Sequence, residues 1–204
     1  MESIEKAFYH DGYQLGLKAV ETPDEKKYFE ALSEMYAAID KLNDSLFEFA
    51  ASQGRNIACK KGCEWCCHQP VFALDYELDY LDTFIDKNFT SKQKQELKTR
   101  ANEKNNKLSA LNGDALLNAK HPCPLLKNGA CAAYSARPMA CRIYLSSDLG
   151  SCLNFYHAPD DKDVFPALLD FPMRAGRMMN EGFKAALKTK GILAKEFRIE
   201  EKLF

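Results

Sequence analysis

No stretch of this chain approaches the roughly 20 consecutive apolar residues that a membrane span needs. The opening Met-Glu-Ser-Ile-Glu-Lys carries acid early and leads into no apolar core, unlike a secretory signal. A cytoplasmic protein with no membrane partner is expected. An excess of charge is missing too: 28 Lys and Arg against 29 Asp and Glu leave a net −1. That balance attracts neither nucleic acid nor an anionic surface. With no strip of alternating basic and aromatic residues, no nucleic-acid partner is expected. G-x-G-x-x-G, P-loop and H-E-x-x-H signatures are absent, which removes the commonest dinucleotide, nucleoside-triphosphate and zinc-protease readings. No catalytic residue and no organic cofactor site is assigned.

Cysteine is missing as well, from everything before Cys59 and everything after Cys152. All eight fall between, in two bunches. The first is Cys59, Cys63, Cys66 and Cys67, spaced C-x3-C-x2-C-C; the second is Cys123, Cys131, Cys141 and Cys152. Eight in 204 residues is about 4%, below the roughly 8–10% of small disulfide scaffolds. A chain kept in the reducing cytosol has little use for disulfides. Metal ligation is the favoured reading, with buried or catalytic thiols as the alternative. Four thiolates make a tetrahedral zinc site, and four also hold a cubane iron–sulfur cluster. The count therefore suits two four-thiolate sites or one shared polynuclear site. Vicinal Cys66 and Cys67 do not bridge readily, and their side chains are expected to diverge. The backbone between Cys59 and Cys67 is expected to turn at Gly62, as metal knuckles do. His68, His121 and His157 lie near cysteines and are alternative ligands for a mixed site.

Four thiolates around zinc or an oxidised cubane leave about −2 per site. Lys60, Lys61, Lys127, Arg137 and Arg142 lie within a few positions of cysteines and are the candidate counter-cations. Arg137 and Arg142, flanking a Pro-x-x-Cys turn, are expected to have a structural role with the cluster.

The fold class is mainly α: a small helical domain with a loop-rich, cysteine-ligated metal core. Its 46% apolar and 28% charged residues are a globular composition. Residues 1–54 read as an N-terminal helical segment, 55–160 as the cysteine-cluster domain, and 161–204 as a C-terminal helix and tail. Gly12 and Gly16 spoil a clean helix over 1–21. Thr22-Pro23-Asp24-Glu25 predicts a helix start, with Thr22 as cap. Phe29, Leu32, Tyr36, Ile39, Leu42, Leu46 and Phe49 then form the apolar stripe of a helix over 23–52. Leu74, Leu78, Leu81 and Ile85 mark a second helix. Thr90 and Gln93 form a capping box that opens a third over 91–112. That segment is very polar, its stripe thin (Leu97, Ala101, Leu108, Leu111), and its lysines read as a solvated surface face. Residues 113–163 are rich in Gly and Pro and read as loops that need metal to order them. A last helix is expected over 174–190, and Phe197-Arg198-Ile199-Glu200 suits a strand or a helical turn.

Cys59-x3-Cys63-x2-Cys66-Cys67, followed by Cys123-Pro-Leu-Leu-x-x-Gly129-x-Cys131-x-x-Tyr134-x-x-Arg137-Pro138-x-x-Cys141-Arg142, resembles the YkgJ-type cysteine-cluster family of zinc- or iron-chelating domains. The resemblance spans Cys59 to Cys152 and implies that these cysteines bind metal, as zinc sites or an iron–sulfur cluster. A related cysteine-cluster segment occurs in flagellin lysine methylases, which implies the alternative of an iron–sulfur enzyme or enzyme accessory, methylase- or oxidoreductase-like. As a zinc protein the chain would be a structural module for a protein partner; its oligomeric state is not encoded in these motifs. Cys59-x3-Cys63-x2-Cys66 also matches the spacing of radical S-adenosylmethionine enzymes. Those need a repeated strand–helix barrel, whereas this chain reads as helical.

Overall fold

The computed structural model describes residues 3–55, 57 and 59–203; Met1 and Glu2 of the acidic opening lie outside them. In chain order the elements are α1 (Ser3–Ala19), α2 (Glu25–Ser52), β1 (Phe72–Leu74), α3 (Asp75–Asn88), α4 (Ser91–Leu108), α5 (Gly113–Leu117), β2 (Leu126–Lys127), β3 (Ala130–Cys131), α6 (Met139–Ile143), α7 (Leu149–His157), α8 (Asp170–Lys188), β4 (Glu196–Arg198) and α9 (Ile199–Lys202). The protein is mainly helical, as its periodicity predicts, and the described residues contain only two small two-stranded sheets. Among the described residues no helix is long and apolar enough to cross a membrane.

The chain divides into two compact units that interleave in sequence. One comprises Met1–Ile57, Met139–Leu145 and Leu169–Lys195; the other comprises Ala58–Pro138, Ser146–Leu168 and Glu196–Phe204.

The first unit packs α1, α2 and α8 together, with the short α6 against α2 and α8. Here the sequence reading needs correction: residues 3–19 form a regular helix despite Gly12 and Gly16. Both glycines are buried, and the interface requires them. A Cβ on Gly12 would run into the carbonyl of Met179, and one on Gly16 into that of Phe183. From the facing side, a Cβ on Gly182 of α8 would strike the carbonyl of Tyr9. What helix propensity loses at these positions returns as close backbone packing.

Helix α2 begins two residues later than expected, because Asp24, not Thr22, is the cap: its carboxylate accepts from the Lys26 amide at 2.9 Å. Leu32, Tyr36 and Ile39 of the expected stripe are buried, but Phe49 is 64% exposed. Leu42 and Leu46 of the same stripe are half-buried, so the burial of this face thins toward the C-terminal end of the helix.

In the second unit, the two possibilities for residues 197–200 both occur in succession. Glu196–Arg198 pairs antiparallel with Phe72–Leu74, in the register Phe72↔Arg198, and the chain then turns into α9. Helix α4 opens on the predicted Thr90–Gln93 capping box. Its buried face, however, is Leu97, Ala101, Lys104 and Leu108. The thin stripe is completed by a lysine, at the steps of four, three and four that one helix face requires. Residues 113–163, expected to be loops, contain three short helices, α5, α6 and α7. Asp148 caps α7 by accepting from the amides of Gly150 at 2.9 Å and Ser151 at 3.0 Å.

Gly12→Ala is expected to destabilise the protein by about 2 kcal/mol or more, the scale of overpacking in a tight interface. Urea unfolding checks this; an unchanged midpoint would mean that α1 and α8 do not meet through glycine.

Candidate metal centre

The first cysteine bunch lies on a turn followed by a short 3-10 helix. Gly62 has φ +97, where a side chain would be strained, and makes the predicted knuckle. The Cys63 amide donates to the Lys60 carbonyl at 3.0 Å to close the turn. Trp65–His68 then winds as a 3-10 helix, stabilised by Cys67 N–H to Glu64 O at 2.8 Å. This tight winding overturns the expectation for the vicinal pair: the thiols of Cys66 and Cys67 hydrogen-bond each other rather than diverge.

Part of the second bunch is laid directly against the first. The Cys123 amide donates to the Cys67 carbonyl and the His121 amide to the His68 carbonyl, each at 2.7 Å. Beyond Cys123 the chain makes a hairpin in which Leu126 pairs with Cys131. Asn128 and Gly129 occupy its turn with φ of 51 and 75, the two successive positive values of a type I′ turn. The expectation that Gly129 allows a tight turn before Cys131 is met. Cys152 arrives on α7, which packs on the 3-10 helix. The Tyr156 ring meets Trp65 at 5.1 Å and His68 at 5.0 Å between centroids. Ser146 ties this side together: its amide donates to the Cys59 sulfur at 3.0 Å, and its hydroxyl bonds to Asp148 at the start of α7.

Two electrostatic neighbourhoods result within the second unit. Cys59 feels the charges of Cys63 and Cys152. Cys123 feels those of Cys67 and Cys131, and Cys67 that of Cys66. Cys141 is carried by α6 in the first unit. All eight cysteines are free thiols of intermediate exposure. Among the described residues, no three His, Cys, Asp or Glu side chains converge as a finished metal site. The donor chemistry fits zinc or iron nonetheless: soft sulfurs, none spent in a disulfide, with Cys59 accepting the Ser146 N–H and Cys123 that of Leu125. Coordination requires the thiols to turn from their mutual contacts onto the ion.

Three of the thiols, Cys59, Cys67 and Cys123, are held toward their protonated form. Burial pushes the Cys59 thiol up, against the Ser146 amide that favours the thiolate. Cys67 is raised strongly, first by its hydrogen bond to Cys66 and then by burial. Burial pushes Cys123 up to about 12. A bound divalent cation would reverse all three, so loading must release protons.

Three of the cations that sequence proximity picks out make contacts of their own. Arg142, 1% exposed, pairs with Asp40. Its guanidinium also lies 4.1 Å from the Tyr36 ring centre, and Asn43 donates to its carbonyl at 3.1 Å. Arg142 therefore ties α6 to α2. Arg137 stacks on Tyr134 at 3.9 Å and donates to its carbonyl, and Lys61 stands 5.6 Å over the same ring. The cation that lowers both Cys67 and Cys123 is Lys104, from α4. It was missed because it lies 19 residues before Cys123 in a helix that reads as solvated. The available signal was its spacing from Leu97, Ala101 and Leu108.

Of the histidines, His68 has Nδ1 3.2 Å from the Glu64 carbonyl, and His157 stands beside Trp65 and Tyr156. Burial, then Lys107 and Lys104, lowers the pKa of His121, which leaves it the neutral imidazole a ligand must be.

For the metal-free protein the pH dependence has a definite sign. Cys123 has an ordinary value of 9.0 and rises to about 12 when folded. The folded form thus keeps a proton that the unfolded chain releases above about pH 9. Stability should be intact below that pH and fall as pH climbs toward 12. Cys123→Ser should shrink the slope by about one proton. Denaturant unfolding at stepped pH in the presence of a chelator measures both.

No curated protein and no solved structure matches this chain. A family model described as a "putative zinc- or iron-chelating domain", CxxCxxCC, matches residues 58–164. That is 164 − 58 + 1 = 107 of the 204 residues, and by this match the chain belongs to the CxxCxxCC family of zinc- or iron-chelating domains.

Proposed function

We propose that this is a cytoplasmic metal-binding protein. Its eight cysteines, Cys59, Cys63, Cys66, Cys67, Cys123, Cys131, Cys141 and Cys152, are the donors for zinc or for an iron–sulfur cluster. The observation that carries this reading is the juxtaposition of distant thiols. Cys123, more than 50 residues beyond the first bunch, is an electrostatic neighbour of both Cys67 and Cys131, and the Cys123–Cys67 main-chain bond holds it there. Buried side by side, these thiols are costly to ionise without a cation, and a bound metal ion supplies the charge that lets them act as thiolates.

The metal holds the loops between the helices and gives them the fixed shape that a protein partner can read. As zinc it is redox-inert and structural; as a cubane cluster it also carries an electron.

Purification without air, followed by metal, sulfide and absorbance measurements, tests the proposal. About two zinc ions per chain in a colourless protein, or iron with labile sulfide in a brown one, is the expected result. Thiols that all react freely with an alkylating reagent, in protein carrying no metal under any loading condition, would overturn it. Paired substitution Cys67→Ser and Cys123→Ser should remove metal and lower the melting temperature; metal content and a thermal melt report the two effects separately.

A further inference from the structure

Helix α4 is the most polar helix of the second unit, yet it sends two cations inward, one turn apart. Arg100 donates from Nη1 to the Leu126 carbonyl at 2.9 Å, in the hairpin strand that pairs with Cys131. Lys104 donates from Nζ to the Gln69 carbonyl at 3.2 Å. Gln69 closes the 3-10 turn of Cys66 and Cys67 through its own amide, bonded to the Cys66 carbonyl at 3.3 Å. One helix thereby grips the loops of both cysteine bunches by their carbonyls.

Lys104 is only 4% exposed. Burying an ammonium is expensive, and lysine is almost never buried unless paired. Its carboxylate partner is poorly placed for the task. Glu200 Oε2 stands 3.9 Å away and has no hydrogen-bond partner, while Glu200 Oε1 is engaged by Arg198 at 3.0 Å. Arg198 also binds Glu201 at 2.7 Å and Asn105 at 2.9 Å. The lysine charge is therefore matched loosely on the carboxylate side, and it faces Cys67 and Cys123 on the other.

We propose that Lys104 is the resident counter-cation of the Cys66, Cys67, Cys123 and Cys131 thiol group. It is a positioning residue that offsets the excess negative charge of a four-thiolate metal site. The inference rests on the metal-binding reading above and adds to it. Four thiolates on a divalent ion leave about −2, and a buried ammonium beside them recovers part of that. Lys104 ligates nothing; it stabilises the loaded form over the empty one. The weak grip of Glu200 leaves its charge available.

The test compares wild type, Lys104→Met, Lys104→Arg and Glu200→Gln in the full chain. Each is titrated with cobalt(II), and its zinc affinity is measured by competition with a chromophoric chelator. Lys104→Met should weaken zinc binding about tenfold at one metal equivalent, as loss of a nearby charge in a partly screened site does. The sulfur-to-cobalt charge-transfer intensity per bound cobalt should stay unchanged. Lys104→Arg should restore most of the affinity. Glu200→Gln, which strips away the competing carboxylate, should tighten binding severalfold. A purely structural lysine would not give these opposite signs. Lys104→Met binding zinc within twofold of wild type would overturn the proposal, as would weakening by Lys104→Met and Glu200→Gln alike. If Lys104→Met does not fold, Glu200→Gln decides alone, and unchanged or weaker binding overturns it. Wild type that takes up neither metal overturns the metal-binding reading and this inference with it, an outcome distinct from an insensitive Lys104→Met.

Discussion

Two main-chain hydrogen bonds, Cys123 to Cys67 and His121 to His68, carry the architecture of the cysteine-bearing unit. They join segments separated by more than 50 residues, one a single 3-10 turn and the other a loop. Closing so large a loop costs entropy, and two main-chain bonds, each worth about 1 kcal/mol net, do not repay it alone. The rest comes from what surrounds them: the Asn128–Gly129 hairpin, the α7 helix seated through Tyr156, and the inward cations of α4. The thiols sit at the centre of that arrangement. An ion bound there would close the same loops again through sulfur.

Charge is handled by separate means in the two units. In the first, Arg142 is neutralised by Asp40 and covered by Tyr36, so the residue after Cys141 spends its charge on joining helices. In the second, Lys104 is buried against thiols and a loosely placed carboxylate. Both cations are almost fully buried. One has found a close partner, and the other waits beside groups that become anionic only when an ion displaces their protons.

Much of the fold was legible because local rules agreed. The Thr90–Gln93 box, the Leu74 to Ile85 stripe and the positive φ at Gly62 and Gly129 all follow from residue chemistry over a few positions. The failures share a cause. Gly12 and Gly16 read as helix breakers because propensity knows nothing of a facing backbone; against Met179 and Phe183 they are the residues that fit. Helix α7 read as loop because Gly150 weakens it, yet the Asp148 cap and the seat of Tyr156 supply what the ladder lacks. Lys104 read as solvated because its neighbours in sequence are, while its neighbours in space are Leu97, Ala101 and Leu108 on the buried face.

By itself the sequence determined the helical class, the presence and spacing of eight thiols, and the family. Soft ligands in a tight spacing are a property of residue type, independent of how the chain folds. Only the tertiary structure decided which thiols become neighbours, that Cys66 and Cys67 meet rather than part, and that the cation facing them comes from α4. Those outcomes depend on through-space distance. Coulomb energy and desolvation follow it whatever the separation along the chain.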